Sequence, residues 1–219
     1  YVPFTYAGTV NAYNLDSTSS QATPSDRSLF IADYNVVHSV SWNMLNTAGL
    51  IFGKNYTSGG VSYKLRAPSV GNSWTGNAQD ESTHRGIPNT NEWDQILDKD
   101  VKIVNWEILY SWGQDAQSTW SGGRTFRGGN TDRFYCNYGA TMTDGSFSYR
   151  PVLALSSELN ADALRTVALN LNGKTFNASN TLLLAVAADD AFSVPDRPVG
   201  VGETFYGWNT AADGNGTNY

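Results

Sequence analysis

The chain has 219 residues, 40% hydrophobic, 13% aromatic and 16% charged, enough to bury a real core as one large domain or as one domain with an appendage. A formal net charge of −6, with only 14 Lys and Arg spread along the chain, argues against a phosphate-backbone ligand and sets nucleic acid aside. Cys136 is the single cysteine, which excludes an internal disulfide, a CxxC metal site and a paired-thiol redox centre, and no apolar run is long enough for direct membrane insertion.

Tyr1 has no preceding Met, which points to a trimmed or internal fragment. Residues 1–35 read as short strands broken by polar loops: VPFTYAGTV is extended, and DSTSSQATPSD at 16–26 is rich in turn formers. Ser39 or Ser41 is placed to cap a helix through VSWNMLNTA, with Gly49 where a left-handed stop is easiest. GLIFGKNY leads into YKLRAP, followed by a long Gly-, Ser- and Asn-rich loop at 69–86, a length that usually signals function or mobility.

A second helix is predicted from Asn89 and Glu92, spaced as a capping box, with Trp93, Ile96 and Leu97 on one face. The acidic residues Glu92, Asp94, Asp98 and Asp100 read as a solvated face of that helix. In NWEILYSW (105–112), Trp106, Ile108, Tyr110 and Trp112 alternate, predicting a central strand with four large side chains on one face. GGRTFRGG at 122–129 and SFSYRPVLAL at 146–155 are further strands, and Pro151 places an edge or a bulge in the second. Few helices and many short strands predict an α+β class with two helices and a mostly antiparallel sheet over residues 1–160.

Beyond about residue 158 the texture changes. VALNLNG alternates, Asn172-Gly173 is a two-residue hairpin signal, TLLLAVA reads as a buried strand and PDRPVG as a turn, so 165–219 is expected to be a small β module. Its end, FYGWNTAADGNGTNY, reads as stopping before a last strand.

Chemistry is sparsely signalled. His38 and His84 are the two imidazoles, without HxH, HExxH or HxxxH spacing, and no GxSxG elbow supports a Ser-His-Asp arrangement, which sequence alone leaves open. AADGNGT at 211–217 reads as a turn, no EF-hand pattern occurs, and the glycines of SGGRTFRGGN fit neither a P-loop nor a dinucleotide fingerprint. No metal, cofactor or catalytic activity is expected. Seven Trp and twelve Tyr exceed what a core needs, so some rings are expected to face outward as binding surface.

Three motifs carry a resemblance. Pro88-x-x-x-Glu92-Trp93-Asp94, Arg124-x-x-Arg127-Gly128-Gly129 and Tyr149-Arg150-Pro151-Val152 resemble, in order and spacing over 36–155, the helix start and two strands of the formylglycine-generating-enzyme type of C-type lectin fold. That enzyme uses a cysteine pair, and this chain has Cys136 alone, so oxidase activity is not implied. Calcium-dependent lectins read sugars through EPN or QPD with WND, and GIPNTNEWD has none of these.

The chain is more similar to the variable proteins of diversity-generating retroelements, in which adenine-directed mutagenesis of Asn-type codons diversifies a surface near the end of that fold. Such codons cannot reach Lys, Glu, Gln, Met or Trp, and between Asn130 and Tyr149 only Met142 belongs to that set. NGKTF at 172–176 and FYGWNTAADGNGTNY at 205–219 resemble the InlB B-repeat of bacterial surface proteins. The two resemblances together imply display on a virion or cell surface.

The expected contacts are Asp132, Phe134, Tyr135, Asn137 and Tyr138, with Trp120, Asn130 and Asp144 behind them, recognising a macromolecular ligand, preferentially a protein. Arg124, Phe126, Arg127 and Tyr149–Val152 are expected to form the rigid flanks, with Trp93 and Trp106 beneath. A fixed-sequence adhesin or phage structural protein is the alternative, followed by an enzyme of the formylglycine-generating type; oligomeric state is not legible.

Overall fold

Strand-forming segments account for nearly all of the regular structure among the described residues. The computed structural model describes residues 2–10, 27–58, 61–78, 80, 82–99, 103, 106–155, 164–174, 180–187 and 206–219. Of the described residues, strand makes up 47% and helix 8%. This overturns the expected α+β lectin fold: the chain is β-rich, with two short helices and several sheets. The physical reason is length. Helices α1 (Trp42–Thr47) and α2 (Glu92–Leu97) have 6 residues each. That is less than two turns, too little to form a packing layer of its own.

Two compact units are distinguished. The larger comprises Val2–Tyr56 and Tyr63–Ser157, and the smaller comprises Tyr1, Thr57–Ser62 and Glu158–Tyr219. Strands β1 (Phe4–Val10), β2 (Arg27–Ala32), β12 (Val152–Leu155), β5 (Val61–Arg66) and β4 (Lys54–Ser58) form one sheet in that order. A second sheet runs β10 (Tyr135–Gly139), β9 (Trp120–Gly128), β8 (Tyr110–Gln117), β11 (Phe147–Tyr149) and β3 (Val37–His38). Its β11–β8 pair is parallel, whereas β10–β9, β9–β8 and β11–β3 are antiparallel. A small hairpin, β6 (Ser73–Thr75) with β7 (Arg85–Ile87), occupies much of the 69–86 segment that the sequence presents as a loop and ends one residue beyond it.

Several sequence expectations shift here. The 146–155 strand is two strands: Pro151 is neither edge nor bulge but part of the link by which the chain leaves one sheet and enters the other. The 105–112 strand begins only at Tyr110, because Ile108 adopts a φ of 58° and is 78% exposed. A β-branched residue in the left-handed region ends any extended run. Ser41, not Ser39, caps α1, its hydroxyl accepting from the Met44 N–H at 3.1 Å, and Gly49 follows with a φ of 75°. Asn91, not Asn89, caps α2, accepting from the Asp94 N–H at 3.0 Å.

Two cores stabilise the larger unit, and they differ in kind. One is mainly aliphatic, with Leu29, Ile31, Val70, Ile96 and Val152 around Trp93. The other is aromatic, built on Trp42, Trp112, Phe126, Phe147 and Tyr149. In it Trp112 and Phe147 stack at 4.8 Å, and Phe126 meets both edge-on. Offset and edge-to-face pairs of this kind contribute beyond their area burial.

In the smaller unit, β13 (Leu164–Asn170) and β14 (Thr181–Ala187) pair antiparallel, Asn170 opposite Thr181. Asn172-Gly173 is therefore not a two-residue hairpin loop, although both residues have the positive φ of such a turn. Residues 209–218 fold on the Asn209 side chain, whose carbonyl accepts from the Ala211 and Gly216 N–H groups. The segments at 16–26 and PDRPVG, and Asp100, lie outside the described residues.

Candidate binding surface

The surface is positioned by a buried charged frame on α2. Glu92 and Asp94, expected to be solvated, are both fully buried. Arg66 donates to both Glu92 oxygens at 2.6 and 2.5 Å, and the Ser69 N–H adds a third bond at 2.9 Å. Arg127 donates to Asp94 at 2.6 and 3.2 Å, joined by the Asn91 amide at 2.7 Å and the Gly86 N–H at 2.8 Å. Burial pushes the Asp94 carboxyl up, but the Arg127 charge and these hydrogen bonds outweigh it and hold the group below the usual carboxylate range. The Asp115 carboxylate accepts from the Val70 and Gly71 N–H groups, tying the 68–72 segment to β8. Arg133, expected merely to solvate a turn, bridges Asp94 and Asp98 at 3.4 and 2.7 Å.

The expected flanks are indeed interior: Phe126, Arg127, Tyr149, Arg150 and Val152 are buried, as is Trp93, while Trp106 is half-buried. Arg124 lies over the Trp42 ring at 4.4 Å. Burial lowers the Arg150 guanidinium to about 10. On this frame sits the β9–β10 ribbon, with Tyr135 opposite Arg127, Asn137 opposite Thr125 and Gly139 opposite Gly123. Strand alternation divides the expected contacts between two faces. Cys136 and Phe134 pack against the aromatic core, with Tyr138 at its margin 5.7 Å from Phe147 and about half exposed. Tyr135, Asn137 and Gly139 occupy the other face.

Tyr135 is not a contact. It is 3% exposed, its hydroxyl donates to the Gly71 carbonyl at 3.3 Å, and burial raises its phenol well above the usual range. Its role is to carry Trp74, whose ring lies 5.7 Å away and is 46% exposed. At the other end of β10, a Cβ on Gly123 would lie 2.5 Å from the Trp120 ring, and one on Gly139 would lie 3.8 Å from it. Trp120 thus lies across a glycine pair, 48% exposed. The Ser118 N–H bonds to the Asn72 carbonyl at 2.8 Å, so the segment leading to Trp74 adjoins the turn that carries Trp120.

The result is a strip along one face of an edge strand: Trp74 over Tyr135, then half-buried Asn137, then Trp120 over Gly139. Asp132 and Asn130 lie in the β9–β10 connection, Asn130 exposed, while the Asp132 carbonyl accepts from the Trp93 indole at 2.8 Å. Asp144 is exposed, and its carboxyl, held low by the Ser146 hydroxyl and the nearby N–H groups, closes a turn on the Tyr138 side of the ribbon. Trp74 was missed by sequence reasoning. Its signal was a bulky aromatic within the long 69–86 segment.

Chemically the strip offers two indole faces and an amide. Among the described residues no group of three or more His, Cys, Asp or Glu is arranged to hold a metal ion, and no helix is long and apolar enough to cross a membrane. Fold and surface together define a class: a β-rich chain presenting exposed aromatics beside an edge strand, with a buried ionic frame beneath. None of the known protein families, curated proteins or solved structures compared with the chain matches it.

Proposed function

We propose that the chain is a ligand-binding display protein that recognises a macromolecular partner, preferentially a protein, through the β10 strip and its margin. The observation that carries this reading is the pairing of two half-exposed tryptophans with a strand whose supports are buried. Rigid aromatic side chains lose little entropy on binding, and their exposure in the free protein already carries a solvation cost that a partner removes. The resemblance to the variable proteins of diversity-generating retroelements supports the same role, with residues in 120–144 exchanged between copies and the ionic frame kept. The repeat-like tail supports presentation outside the cell, on a virion or a cell surface.

The decisive measurement is genomic. A near-copy of the segment encoding 105–155, differing at adenines and adjacent to a reverse transcriptase gene, is the expected finding, with differences at outward residues such as Asn137 and Tyr138 and none at Arg127. Related copies differing evenly along the chain would refute the diversified reading.

A further inference from the structure

His84 is 1% exposed, and neither ring nitrogen has a hydrogen-bond partner. Its surroundings are hostile to a proton. Phe134 meets the ring edge-on at 6.0 Å, and the charges acting on it are Arg127 from β9, Arg85 from β7 and Asp94 from α2. Asp94, the single anion of these three, is already engaged by Arg127, Arg133, Asn91 and the Gly86 N–H. A protonated imidazole would therefore be a buried cation beside two arginines with its acceptor saturated.

We propose that the neutral His84 ring holds the β6–β7 hairpin shut and that mild acidification opens it. The hairpin is the element able to yield: its strands have 3 residues each, and short two-stranded hairpins are marginal without support. His84 stands at its neck. Its backbone N–H donates to the Asp80 carbonyl at 3.0 Å, and the Gly76 backbone is so close to Thr83 that a Cβ there would lie 2.1 Å from the Thr83 carbonyl. Releasing His84 to solvent frees this neck and with it Trp74, which is paired across the hairpin with Gly86.

The sign follows from linkage. Burial, then the Arg127 charge, lowers the His84 pKa from its ordinary 6.5, so the open state binds more protons. The closed hairpin is fully favoured above about 6.5 and loses ground as pH falls below it. Asp94 titrates below the ordinary carboxylate range, so it remains ionised through this window.

The test uses the whole chain without ligand, so it stands apart from the recognition reading. With only two histidines in the sequence, selective isotope labelling gives two imidazole signals, assigned with His84→Asn. Between about pH 7.5 and pH 5, amide protection in residues 71–87, corrected for intrinsic exchange, is expected to fall about tenfold while α2 and β9 keep theirs. The His84 ring is expected to take up its proton in step with that loss, and His84→Asn to abolish the step. Unchanged protection across the range, protonation of His84 without loss of protection, or a step that survives in His84→Asn would each overturn the proposal. If His84→Asn does not fold, coincidence of the two events in the natural chain decides.

Discussion

Helix α2 and strand β10 flank the same strand, β9, and hold to it by opposite means. The contact of α2 is charged and sealed: Asp94 reaches Arg127 through two hydrogen bonds with both side chains fully buried. The contact of β10 is a backbone ladder whose side chains alternate between the aromatic core and a neutral outer face. The difference teaches where exchange is tolerable. A buried ion pair punishes loss of either partner, whereas a ladder leaves the outward side chains free of the fold's main constraints.

The sharpest way to test this contrast is to break the pair. Arg127→Met removes the cation that donates twice to the buried Asp94 carboxylate, leaving it only the longer Arg133 contact, and is expected to cost about 3–5 kcal/mol, read as a lowered urea midpoint. Arg127→Met with Asp94→Leu, which removes both charges, is expected to recover most of that loss. The same pair sets the acid limit. Because the Asp94 carboxyl is held low in the folded state, its contribution is fully present above the unfolded value of about 3.9 and is lost as pH falls through the lower folded value. Acid titration followed by circular dichroism should therefore show a shallower limb in the double variant than in the natural chain.

Smaller effects sharpen the comparison on the ribbon itself. Gly129→Ala, at a φ of 91° and with its Cβ 1.9 Å from the Tyr110 ring, is expected to cost about 1–3 kcal/mol because the strained position lies where β9 turns toward β10. Tyr135→Phe removes one buried hydrogen bond to Gly71, an expected loss of about 0.5–1.5 kcal/mol in thermal unfolding. Trp74→Ala and Trp120→Ala are expected to change stability least, by under about 1 kcal/mol, since half of each ring is already in water. A Trp120→Ala loss matching that of Arg127→Met would mean that the indole is part of the frame.

Much of the local structure was legible. The strands at 4–10 and 120–128, the second read at 122–129, and the two helices follow from alternation, glycine placement and capping side chains acting within a few residues, although the cap of α2 is Asn91 and not the expected Asn89. What misled was chemistry read locally. Acids at the start of α2 look solvated because their partners Arg66 and Arg127 are 26 and 33 positions away. The aromatic-rich stretch at 134–138 looks like one surface until alternation sends Phe134 and Cys136 toward the core and turns Tyr135 into a support for Trp74.

By itself the sequence determined the strand-rich texture, the lack of cysteine-pair chemistry, the presence of two short capped helices and the concentration of aromatic and small polar residues near β10. Those follow from backbone preferences and composition, which act over a few residues. Only the tertiary structure decided that helix would be a minor component, that Glu92 and Asp94 would be interior ions, and that Trp74 and Trp120 would bracket Asn137. Each of these depends on which distant segment excludes water from a side chain, and desolvation is a property of the packed chain, not of any stretch of it.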